Sequence, residues 1–200
     1  MSKWQEDLLS DIRTGNDNFD WRDGPESIDG HPWDAISGAF GYAAVLKKFL
    51  EKKDTCFSIL EIGVNVHGFT EIFTTQKNLE TVYIGIDIEN REYLNNVEKN
   101  IYTIERTSEA YDENLARINE IGVTQFDFIY IDGLHSINHV LHDWEYSRLL
   151  APGGIIGFHD TRFHPGPKRF LQALNKDTWN IEENACANDL DWGVGFVWKK

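Results

Sequence analysis

Apolar residues fall in short, dense runs along this chain, separated by stretches with helical periodicity. The runs SILEI (58–62), TVYIGI (81–86), FDFIYI (126–131) and GIIGF (154–158) hold too few polar positions for a strand with one wet face. Each predicts a strand buried on both sides. NIYTIE (100–105) is a weaker example of the pattern. Between these runs Ile137, Val140, Leu141 and Trp144 recur at helical spacing, and LLAPGG (149–154) supplies the Pro and Gly that stop that helix. Ile36, Phe40, Ala43, Leu46 and Leu50 predict a helix upstream. Before it, residues 14–34 are rich in Gly, Asp, Asn and Pro and read as an irregular loop.

Strands alternating with helices imply a parallel sheet covered on both faces. The tail departs from that rhythm: TWNIEEN (178–184) and GVGFVWKK (193–200) are joined by only eight residues. That is too short for a crossover helix, so the two should pair antiparallel. The expected fold is α/β: a Rossmann-like, doubly wound sheet of seven strands, mostly parallel, with an antiparallel C-terminal hairpin. Residues 35–200 should form one domain. Residues 1–34, with Trp4, Trp21 and Trp33, read as a lid or subunit-contact segment, or as tryptophans packed on the outer helices.

Composition narrows the classes of function. With 41% hydrophobic and 26% charged residues in a chain of 200, the profile is that of a globular protein able to bury a core. Lys and Arg number 19 against 33 Asp and Glu, a net charge of −14. No basic cluster offers a footprint for nucleic acid. No apolar run approaches the ~20 residues that span a bilayer, so no membrane partner is expected. MSKWQEDLLSDIR lacks the apolar core of a signal peptide, and the two cysteines show no metal spacing. A reducing cytoplasm is the expected location.

In sheets of this kind ligands bind beyond the carboxyl ends of the strands. There the chain reads ILEIGVNVHGFT: Glu61 ends a strand, Gly63 permits a turn, and Gly68 opens the next helix, whose free N–H groups can face an anion. The following strand ends GIDIEN, and Asp87, 24 residues after Gly63, is placed to accept hydrogen bonds from a ribose. A plain turn and a solvated Asp would read the same way singly; together, in this order, they point to a nucleoside cofactor. The dinucleotide fingerprint G-x-G-x-x-G is absent, which weighs against an NAD-dependent oxidoreductase.

The combination of E-I-G, the acidic end of the second strand, IDG-x-H, and L-x-PGG-x-I-x-x-HD resembles the class I S-adenosylmethionine-dependent methyltransferases. Within that class the chain is similar to a branch that includes metal-dependent sugar O-methyltransferases. The resemblance covers roughly residues 35–200. It implies that Glu61 and Gly63 flank the methionine part of S-adenosylmethionine, that Asp87 binds the ribose, and that Ser108 lies near the adenine. Gly68, Ile88 and Asp132 complete the implied cofactor set. The chain departs from the pattern at His67-Gly68, where family members often carry two adjacent glycines, and at Phe69, which replaces a small polar residue.

The strands ending at Asp132 and at His159-Asp160 should be neighbours, ~4.8 Å apart. Two ionised carboxylates at that distance repel by roughly 3–4 kcal/mol at an effective dielectric of 20. Such a pair calls for a proton, a basic partner or a cation. The resembling sugar methyltransferases hold a metal here, which implies Asp132, His159 and Asp160 as ligands, with a histidine in place of the first acid of the pair. Mg2+, Mn2+ and Fe2+ all suit such a set. His135, three residues past Asp132, is the candidate general base for a hydroxyl acceptor; helix capping is its bland alternative. His139 and His142 fall off the apolar helix face and read as solvated, and nothing fixes a role for His164. The expected activity is methyl transfer to a hydroxyl of a small molecule or saccharide by a possible homo-oligomer. The rival from another class is a cofactor-binding relic without chemistry.

Overall fold

The apolar runs become strands because their side chains find helices on both sides. A computed structural model of the chain describes residues 3–13, 41–65, 69–162, 164–183, 185 and 192–200. Its helices are α1 (Lys3–Asp11), α2 (Gly41–Lys52), α3 (Phe69–Gln76), α4 (Tyr111–Ile121), α5 (Ile137–Trp144) and α6 (Pro165–Ala173). Its strands are β1 (Ser58–Ile62), β2 (Val82–Asp87), β3 (Ile101–Glu105), β4 (Phe126–Ile131), β5 (Leu150–His159), β6 (Trp179–Glu182) and β7 (Val194–Lys199). They form one sheet of seven in the order β3-β2-β1-β4-β5-β7-β6. The first five are parallel, and β7 pairs antiparallel with both β5 and β6. The expected seven-stranded fold and its terminal hairpin are both present.

Alternation along each strand sorts the core into two layers. Leu60, Ile84, Ile129 and Ile156 face α4, α5 and α6. Ile59, Tyr83, Phe128 and Ile155 face α2 and α3. Central β1 is buried along its whole length, which is why its run carries no wet face to read.

Two expectations need correction. The face read for the upstream helix was Ile36, Phe40, Ala43, Leu46 and Leu50. Of these, residues 36 and 40 lie outside the described residues, and Leu50 is 47% exposed. The buried stripe of α2 is instead Val45 and Phe49, both fully buried. Phe49 meets Phe73 and Phe128 edge to face at 5.5 and 5.8 Å, a contact favoured by the ring quadrupoles. Second, the helix ending in Trp144 does not run to LLAPGG. A buried 3-10 segment, Glu145–Leu149, follows it, and β5 begins already at Leu150. An irregularity in the pairing between Phe126 and Phe128 admits this longer strand.

The described part of the N-terminal segment, residues 3–13, is docked on the body. Asp11 accepts from the indole nitrogens of Trp144 and Trp179 at 3.2 and 3.4 Å. Its carbonyl accepts from Asn175 N at 2.7 Å. These contacts lie at the ends of α5 and α6 farthest from the carboxyl tips of the strands. Trp21, Trp33 and the rest of residues 14–40 lie outside the described residues. Burial pushes the Cys56 thiol up to about 12, leaving it unreactive. Among the described residues no helix is long and apolar enough to cross a membrane.

Candidate active site

At the tip of β1 the chain must turn sharply under its neighbour. Gly63 does so with φ +84°, and its N–H donates to the Ile86 carbonyl at 2.9 Å. A Cβ at Gly63 would lie 2.1 Å from the carbonyl oxygen of Asp132, so only glycine fits. The next two amides, of Val64 and Asn65, donate to Asp87 Oδ2 at 2.9 and 3.0 Å. Glu89 N donates to Oδ1 at 2.8 Å, and Arg91 Nε stands 3.5 Å from Oδ2. Asp87 thus ties the loop after β1 to the end of β2. Of its lone pairs, only the second on Oδ1 remains for a ribose. Ile88 beside it is 74% exposed. His67 and Gly68 lie outside the described residues. Phe69, which stands where the resembling enzymes carry a small polar residue, packs its ring 4.7 Å from Tyr130 and 4.9 Å from His159.

Glu61 is 1% exposed and accepts from Thr70 Oγ1 at 2.7 Å and Tyr83 OH at 2.5 Å. Burial raises it from 4.5 to about 8 despite those two donors. Between these values the folded chain keeps a proton on Glu61 that the unfolded chain has released. Stability therefore falls as pH rises through that window. Glu61→Gln has no such proton to lose. Without ligand, its melting temperature should gain on the wild type as pH is raised from about 5 to about 9. Parallel curves would mean that Glu61 is ionised throughout. Asp143, on α5, adds to the same slope: burial pushes it up to about 7, although the Ser108 side chain beside it pulls the other way. Neither of its carboxylate oxygens makes a hydrogen bond. Ser108 itself is anchored through its carbonyl, which accepts from Tyr146 OH at 2.9 Å.

The tips of β4 and β5 bring five side chains together. His159 Nδ1 hydrogen-bonds with Asp132 Oδ1 at 2.8 Å and lies 3.3 Å from Asp160 Oδ1. His135 lies between the two acids: Nε2 is 3.3 Å from Asp132 Oδ1 and Nδ1 is 3.3 Å from Asp160 Oδ2. His164 Nε2 is 3.3 Å from the same Asp160 Oδ2. Asp160 has φ +57°, a left-handed turn directly after β5. The two carboxylates expected to be neighbours therefore meet through imidazoles. Burial alone would raise Asp132, but the His159 and His135 rings hold it below the usual carboxylate value.

Ligand atoms about 2.1 Å from one ion lie roughly 3.0–3.5 Å from each other, and four of the five contacts just given, at 3.3 Å, fall in that range. The His135 side chain is only 7% exposed, and neither of its ring nitrogens makes a hydrogen bond. A buried ring with a carboxylate oxygen 3.3 Å from each nitrogen fits a site that takes a proton or a cation. The cluster thus joins all the expected ligands and the expected base, and adds His164. Nothing in the irregular sequence around His164 fixed its direction, but its place four residues after Asp160 was legible. Its amide donates to the Asp160 carbonyl at 3.0 Å, closing a turn. Asp143 was also missed, though it shares the apolar stripe of Val140. His139 and His142 stay out of the cluster, beside Glu109 and Glu145 at 3.4 and 3.6 Å. Capping of α5 falls to Ser136, whose hydroxyl accepts from His139 N.

A family model described as a methyltransferase domain matches residues 60–161, from within β1 to just past Asp160. No curated protein matches the chain in sequence. Among solved structures, MycE methyltransferase from the mycinamycin biosynthetic pathway, in complex with Mg and SAH, aligns with a TM-score of 0.55 at 17% identity. The alignment covers 76% of this chain and 47% of MycE, so the chain spans about half the length of that enzyme. The O-methyltransferase TomG from Streptomyces achromogenes, involved in tomaymycin synthesis and solved with SAM, aligns with a TM-score of 0.54 at 15% identity, over 79% of each chain. At these identities the likeness is one of fold. The family match takes in just over half of the 200 residues, and by it the chain belongs to the methyltransferase-domain family.

Proposed function

We propose that the protein transfers the methyl group of S-adenosylmethionine to a hydroxyl of a small molecule or saccharide, with His135 as general base and a divalent cation at Asp132, His159 and Asp160. The observation that carries this reading is a juxtaposition. The Glu61–Gly63 turn and the Asp132/His135/His159/Asp160 cluster abut, since Gly63 lies against the carbonyl of Asp132. MycE, solved with Mg, SAH and mycinamycin VI, and TomG, solved with SAM, support both the cofactor and the class of acceptor.

S-adenosylmethionine supplies a methyl group on a sulfonium, open to displacement from the side away from sulfur. A divalent cation held by Asp132, His159 and Asp160 would lower the pKa of an acceptor hydroxyl. The chain supplies the rest. Asp87 and the amides it holds shape the nucleoside end. His135 keeps a proton on Nδ1, directed at Asp160 Oδ2, which leaves the Nε2 lone pair to take the acceptor's proton. Asp160 then stabilises the imidazolium, as a carboxylate does behind any catalytic histidine.

Binding tests the cofactor part. S-adenosylhomocysteine at 100 times its dissociation constant adds about 2.7 kcal/mol of stability. For a chain of this size that is a rise on the order of 5–10 °C in melting temperature. NAD should give none. A flat response to S-adenosylhomocysteine at millimolar concentration overturns the reading.

A further inference from the structure

We propose that His135 Nδ1, Asp160 Oδ2 and His164 Nε2 form a second cation site, inside the first, that takes a first-row transition-metal dication. Asp160 faces two ways. Its Oδ1 looks toward His159 and the outer ligands, and its Oδ2 toward His135 and His164, 3.3 Å from a ring nitrogen of each. The three inner ligand atoms all lie within 4.8 Å of one another.

The donor set selects the ion. Two imidazoles and one carboxylate suit zinc, iron, cobalt or nickel, whereas magnesium prefers oxygen and keeps several waters. Side-chain exposures of 7%, 1% and 4% for His135, Asp160 and His164 keep the site away from bulk water. The frame is rigid. The His135 and His164 rings stack at 4.8 Å with an interplanar angle of 1°. A Cβ on Gly166 would come within 2.2 Å of the His135 carbonyl oxygen, so the start of α6 is pressed against His135. The ring of His135 is itself buried, with a carboxylate oxygen 3.3 Å from each nitrogen but no well-formed hydrogen bond to either.

Occupancy has a consequence that rests on the methyltransferase reading. A metal on Nδ1 leaves the ring proton on Nε2, directed at Asp132. No lone pair then remains for an acceptor proton, so an inner ion silences the base.

The test uses Co2+ as probe on the full chain, metal-stripped and then held in excess Mg2+. One equivalent of Co2+ should bind and show ligand-field absorption bands that Mg2+ does not displace. His164→Gln and His164→Asn, each checked for folding by its thermal melt, should weaken Co2+ binding at least tenfold. His159→Gln should keep the bands. Absence of bands in the wild type overturns the inner site. So do bands that survive in whichever His164 variant folds, or that vanish only in His159→Gln. The S-adenosylhomocysteine melting shift is read on the same wild-type preparation. Its failure with the Co2+ bands intact removes the cofactor reading and leaves the metal site standing.

Discussion

His135→Ala lowers the turnover of methyl transfer by about 10²–10⁴-fold, the range typical of a lost general base, while leaving S-adenosylhomocysteine binding within about twofold. The split follows from where the ring sits. Its two nitrogens face Asp132 and Asp160, at the tips of β4 and β5. The loop that shapes the nucleoside end is held instead by Asp87 through the amides of Val64 and Asn65. A hydroxyl is a poor nucleophile while it keeps its proton, so removing the acceptor of that proton raises the barrier of the chemical step. Cofactor affinity, built elsewhere, has no reason to move. With any hydroxyl acceptor that the wild type turns over, release of S-adenosylhomocysteine gives the rate. If the variant keeps more than about a third of wild-type turnover, another group carries the proton and the assignment of His135 fails.

Gly63→Ala destabilises the fold by about 2–5 kcal/mol, the sum of two effects. A left-handed residue with a Cβ costs about 1–2 kcal/mol, and forcing atoms into a packed site costs typically 1–3 kcal/mol more. Here the added carbon would meet backbone at 2.1, 2.5 and 2.8 Å, where no rotamer offers an escape. Gly153 is the internal control. It too has positive φ, +77°, but nothing lies within 4 Å of its would-be Cβ. Gly153→Ala should therefore show the conformational cost alone, about 1–2 kcal/mol. Urea unfolding of both variants at an unchanged m-value measures the difference. Equal losses at the two positions would refute crowding at the β1 turn. Because Gly63 abuts the backbone of Asp132, its variant should also weaken binding of divalent ions at the outer site.

The sequence carried the sheet because interior strands have no wet face, and a run such as SILEI has few other uses. Strand ends followed from the runs, and with them the places of Glu61, Asp87, Asp132, His135, His159 and Asp160. What periodicity could not decide was the choice between two adjacent apolar stripes. In α2, Leu46 and Leu50 gave the stronger helical pattern with Ile36 and Phe40. Val45 and Phe49 won because the facing side chains, Phe73 and Phe128, offered aromatic edges. His164 lay beyond reach for another reason. It sits in a loop with no repeating pattern, and its direction depends on a turn closed back onto Asp160. Asp143 was within reach, since an acid at helical spacing from Val140 on a buried face is an anomaly visible in the letters alone.

The left-handed residue at the end of β5 also bears on how such a centre can change over generations. Consecutive residues of a strand normally point to opposite faces. The φ of Asp160 breaks that alternation, and His159 and Asp160 place a ring nitrogen and a carboxylate oxygen 3.3 Å apart in one pocket. Two neighbouring codons therefore write into the same cavity. Were the proposed cation bound there, an exchange of imidazole for carboxylate at position 159 would shift the preference toward a harder ion with the backbone already in place. In this architecture the preference for a metal can drift by single substitutions while the fold that presents it stays fixed.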